Sequence, residues 1–77
     1  MPRFHFDVRT DGVTEADEEG LGLLSEETAR LEAARAAAEM LRDRAGRRAE
    51  TADIEIIARD GNRELFRVSV AMMIANV

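Results

Sequence analysis

Two groups of residues in this chain have types and spacings suited to chemistry. One is the run of carboxylates Asp17, Glu18 and Glu19; the other is the guanidinium cluster Arg42, Arg44, Arg47 and Arg48. Adjacent carboxylates offer hard oxygen ligands, which suit weak binding of a divalent cation. A calcium loop needs more: ligands at alternate positions, a central Gly and a closing Glu. In the stretch from Asp11 to Glu19 the glycine, Gly12, comes too early for that pattern. Clustered Arg presents planar, bidentate donors to phosphate or carboxylate. The cluster therefore has two readings, a small nucleic-acid contact or a protein contact.

Little else in the catalytic repertoire is present. There is no Cys, Tyr or Trp, and His5 is the single His. His5 alternates with Phe4 and Phe6, so it should point away from a core built on those rings. Ser25 stands where a helix begins and reads as its cap. Ser69 sits between Val68 and Val70 in a strand pattern, and neither serine lies in a nucleophile elbow. The pair Gly20 and Gly22 is too short for a dinucleotide fingerprint. Hydrolysis by paired carboxylates needs a cleft, which a chain of this size rarely forms. The expectation is a non-enzyme with no cofactor and no resident metal.

Composition narrows the class further. A length of 77 residues fits a single domain, 1–77, with one helix on one sheet. All 11 basic residues are Arg, against 16 acids, for a net charge of −5. The charge is uneven: residues 11–32 hold eight acids and one Arg, whereas residues 33–50 hold five Arg and three acids. Such a surface repels nucleic acid over most of its extent, and no Tyr or Trp is available to stack on bases. The acidic and basic stretches are suited to attract each other, within a chain or between copies. The absence of Cys fits a reducing compartment. The N-terminus carries no apolar signal-peptide run, and no stretch approaches the roughly 20 apolar residues of a membrane span. A cytoplasmic protein is expected.

The elements that would hold these groups follow from periodicity. Residues 4–10 alternate with Phe4, Phe6 and Val8 inward, and Asp11-Gly12 marks a tight turn into a short return strand at 13–16. A connector with Leu21, Leu23 and Leu24 should tuck its leucines under the helix. The helix should run from Ser25, or with Thr28 as its cap, to Ala45, with Leu31, Ala34, Ala38, Leu41 and Ala45 as its inward stripe, widened by Ala37 and Met40, and Gly46 as its stop. Residues 53–60 and 63–74 form a second hairpin across Asp60-Gly61-Asn62. The order predicts an α+β fold, β-β-α-β-β, with a small antiparallel sheet of three or four strands and one helix packed across one face.

The whole chain also resembles a family of short bacterial proteins known only as a domain of unknown function. The likeness rests on Met1-Pro2-Arg3-Phe4-His5-Phe6, Asp11-Gly12, Asp17-Glu18-Glu19-Gly20, Leu31-Glu32-Ala33-Ala34-Arg35 and the hairpin Asp60-Gly61-Asn62. The connector and the tail are longer here than that family's pattern. The resemblance implies a bacterial origin, and no activity, cofactor or catalytic residue.

What remains is interaction. The last strand outruns its hairpin partner and ends in the apolar tail Ala71 to Val77. Ile57, Leu65, Met72, Met73 and Ile74 are the candidate interface. The leading expectation is a non-catalytic protein-interaction module, either a homodimer or a binder of another protein. The alternatives are a regulator touching nucleic acid through Arg42, Arg44, Arg47 and Arg48, and a weak metal binder at Asp17, Glu18 and Glu19.

Overall fold

The computed structural model describes residues 1–76. Val77, the end of the expected apolar tail, lies outside them. Arg3–Thr10 forms strand β1. Phe4 is buried, and Phe6 and Val8 pack against the core. Asp11 and Gly12 take φ of 50° and 88°, the pair of positive values a two-residue type I′ hairpin requires. The chain returns as β2, Val13–Glu15, with Thr10 opposite Val13.

The connector departs from expectation. Leu21–Gly22 forms a short strand, β3, paired antiparallel to the start of β1. Among the described residues the sheet therefore has five strands instead of three or four. Leu21 and Leu24 are 44% and 77% exposed, and neither tucks under the helix. The connector's backbone supplies partners to an otherwise open stretch of β1, and unpaired backbone groups are costly. That pairing fixes the segment against the sheet edge.

Helix α1 spans Glu26–Gly46. Ser25 caps it in extended backbone, its hydroxyl accepting from the Thr28 N–H at 3.2 Å, with Glu26 and Glu27 at the positive helix end. The helix absorbs Gly46 instead of stopping before it. The left-handed residue is Arg48, with φ 61°. The Arg48 N–H donates to the Ala45 carbonyl and the Ala49 N–H to the Arg44 carbonyl, both at 3.1 Å, closing a Schellman motif with Arg where Gly is usual.

The inward face of the helix is also corrected. Of the expected inward residues only Ala37 is fully buried, and it is joined by Ala29 and Ala33, with Ala36 packed beside them. Leu31 is 52% exposed, Ala34, Ala38 and Ala45 are exposed, and Leu41 is half-buried. The helix is Ala-rich on two sides, so a 3-4 spacing fits either. Packing selects the side with the smallest residues, because these let the axis approach Ile54 and Ile56, the largest fully buried side chains.

Strands β4 (Thr51–Asp60) and β5 (Arg63–Met73) complete the sheet in the order β2-β1-β4-β5. All pairings are antiparallel, with Val8 opposite Ile56 and Ile56 opposite Val68. The helix lies over β4 and β5 about equally. The opposite sheet face is open.

Candidate functional site: the open sheet face and the β5 edge

Strand alternation sends His5, Asp7 and Arg9 of β1 to the open face, beside Glu55, Ile57 and Arg59 of β4 and Arg67 and Ser69 of β5. The charges interleave. Arg59 Nε donates to Asp7 Oδ2 at 2.8 Å. Arg9 pairs with Glu55 at 2.8 Å, Arg67 bridges Glu55 at 3.1 Å and Glu64 at 2.7 Å, and the Ser69 hydroxyl donates to Glu55 at 3.2 Å.

The acidic run is tied to this lattice through its first member. The Asp17 carboxylate accepts from three backbone N–H groups: Phe6 at 3.0 Å, Glu19 at 3.2 Å and Gly20 at 3.0 Å. Its own N–H donates to Asp7 Oδ1 at 2.9 Å. Its carbonyl accepts from Arg59 at 2.9 Å and lies 3.0 Å from His5 Nδ1, which donates to it in the tautomer that carries a proton there. These donors favour the charged form. The N–H groups of Phe6 and Gly20 hold the Asp17 carboxyl below its ordinary value, and the Arg59 guanidinium does the same for Asp7. Asp17, Glu18 and Glu19 do not converge: among the described residues no group of three or more acids or His is placed to hold a metal ion.

The Arg cluster is divided. Arg44 pairs with Asp11, whose carboxylate also accepts from the Asp53 N–H at 3.2 Å, tying the helix end to the first hairpin and β4. That ion pair lowers the Asp11 carboxyl. Arg47 pairs with Asp43 at 3.3 Å. Arg42 and Arg48 are exposed and make no ion pair among the described residues.

The candidate interface residues do not share one face. Ile57 is half-buried on the open face, opposite Asp7 and Arg67. Leu65 is half-buried at the register shift between β4 and β5. Met72 faces the helix side opposite Ala52, whereas Met73 and Ile74 are 79% and 60% exposed at the strand's far end. The Ile74 N–H donates to the Glu50 carbonyl at 2.8 Å, which holds the start of the tail against the loop before β4.

Two features were missed from sequence. One is the clasp of Asp7, Asp17 and Arg59, whose members are far apart in the chain; only the outward phase of Asp7 and Arg59 signals it. The other is the flank of α1 beside β5. Arg30 lies on that flank, its guanidinium 5.1 Å from the centre of the Phe66 ring of β5. Leu31, Ala34 and Ala38 follow Arg30 around the helix, away from the sheet. The opposite flank is polar: Glu39 and Asp43 line an open groove of about 460 Å³ with Thr10 of β1 and Ile54. Among the described residues no helix is long and apolar enough to cross a membrane.

A family model described as a domain of unknown function (DUF6894) matches residues 3–71. No curated protein and no solved structure matches the chain.

Proposed function

The chain belongs to the DUF6894 family, and we propose that it is a non-catalytic protein-interaction module of the bacterial cytoplasm that works as a homodimer. One observation carries this reading. Strand β5 pairs with β4 along one edge and has no partner along the other among the described residues, and Met73, Ile74 and Leu31 are large apolar side chains left exposed. An 11-residue strand with an unpaired edge is a template for another strand. Apolar side chains next to it add the hydrophobic contribution an interface needs.

The charged groups support the same reading. The carboxylates of the open face are engaged by Arg or by backbone N–H groups, an arrangement that fixes the connector to the sheet. Pairing of Arg44 with Asp11 and of Arg47 with Asp43 halves the basic cluster, which weighs against nucleic acid as the partner.

Small-angle scattering over a concentration series tests the proposal. A single chain has a Cα radius of gyration of 13.5 Å. The measured radius is expected to rise with concentration from its dilute, single-chain value and then level off. A radius that stays at the single-chain value throughout overturns it.

A further inference from the structure

Resting on that reading, we infer that the partner is a second copy docked about a two-fold axis, with β5 pairing antiparallel to β5 and α1 packing antiparallel to α1 through Leu31, Ala34, Ala38, Leu41 and Ala45. The stripe is apolar, has the 3-4-3-4 spacing of a helix-packing seam, and is exposed apart from half-buried Leu41. It adjoins the flank marked by Arg30, on the β5 side.

Three independent features fit a second copy. The first is spacing. The helix is centred over β4 and β5, so continuing the sheet across β5 separates the two helices by twice the interstrand distance, about 9.6 Å. Packed helices lie about 8–10 Å apart. The second is shape. A two-fold at Ala38 places Leu31 of one copy against Ala45 of the other and brings Leu41 within one residue, about 1.5 Å along the axis, of Ala34, large against small along the seam. The third is charge. Antiparallel helices bring Glu26 and Glu27 of one copy toward the exposed Arg48 of the other, whereas a parallel pair would set like charges side by side.

The strand register follows from the same axis. Arg30 marks Phe66, and eight residues of helix cover about 12 Å, or three to four strand residues. The axis through Ala38 therefore crosses β5 near Ser69 and Val70. Pairing about that point brings the end of β5 and the first tail residues, including Ile74, against Phe66 and its neighbours in the other copy.

The chain contains no Cys, so a single introduced thiol reports the geometry. Ala38→Cys in the full chain is expected to form a disulfide-linked dimer under mild oxidation, because Ala38 meets itself on the axis. Glu32→Cys, on the polar side of the helix, is expected to remain unlinked. Sedimentation equilibrium of both reduced variants is read alongside. Dimers in the centrifuge with no linkage through Ala38→Cys overturn this geometry and leave the interaction reading standing. Monomers in the centrifuge, with no linkage at either site, overturn both. A second variant, Leu31→Asp, keeps an exposed position exposed in the single chain, so its helical circular dichroism is expected to be unchanged. Its dimer dissociation constant is expected to rise at least tenfold; an unchanged constant overturns the geometry.

Discussion

Arg59 and Asp7 lie on neighbouring strands, with Nε 2.8 Å from Oδ2, and both also hold the backbone of Asp17. Two strands far apart in sequence thereby grip the one connector that leads from the first hairpin to the helix. The grip depends on Asp7 being ionised. Its carboxyl is held below the ordinary 3.8, chiefly by the Arg59 hydrogen bond. Asp17 and Asp11 are lowered as well, and Glu64 is lowered by Arg67.

Acid sensitivity follows with a definite sign. A carboxyl lowered in the folded state binds fewer protons there than in the unfolded chain, so its contribution is present above the unfolded value. That contribution is lost as pH falls through the ordinary carboxylate range toward the lowered values. Thermal melts should show the wild type losing stability from about pH 5 down to about pH 2. Asp7→Asn should melt lower at neutral pH and converge on the wild type at the acid end. A constant gap between the two across this range contradicts the assignment.

Gly20 closes the same connector. Its φ is 74°, and a Cβ there would stand 2.9 Å from Arg3 Cγ and from His5 Cε1. Arg3 has freedom to swing away, but His5 is tethered to the Asp17 carbonyl. Gly20→Ala is expected to destabilise the fold by about 1–2 kcal/mol, the cost of left-handed backbone for an L residue. Chemical denaturation measures it, and an unchanged midpoint contradicts the tight approach.

The end of the helix offers a gain. Gly46 is helical, and a Cβ added to it meets nothing within 4 Å. Gly46→Ala should stabilise by about 0.5–1 kcal/mol. Arg48→Gly should stabilise by about 0.5–1 kcal/mol by relieving its positive φ. Melting curves of the two single variants check this, and a loss in both contradicts the cap described above.

Much of the fold was legible because the strands carry period two without ambiguity: Phe4, Phe6 and Val8 face inward as their alternation requires. The hairpin at Asp11-Gly12 was legible for the same local reason, a dipeptide suited to positive φ. The helix face was not. Ala37 was placed inward, but Ala29 and Ala33 are no more apolar than Ala34, Ala38 and Ala45, and only packing against the sheet tells them apart. The stripe that periodicity selects is apolar, but it lies exposed in the single chain apart from half-buried Leu41. Strand order and the clasp around Asp17 depend on register between distant segments, which no local pattern carries. Gly46 looked like a helix stop because Gly is the usual left-handed residue there, yet Arg48 takes that role one turn-closing bond later.

Light scattering coupled to size separation, on the unmodified full chain across rising concentration, tests the central claim most directly. A molar mass that climbs to twice the 8.6 kDa of one chain and stops there is the predicted result. A mass that stays at 8.6 kDa up to near-millimolar concentration would contradict it.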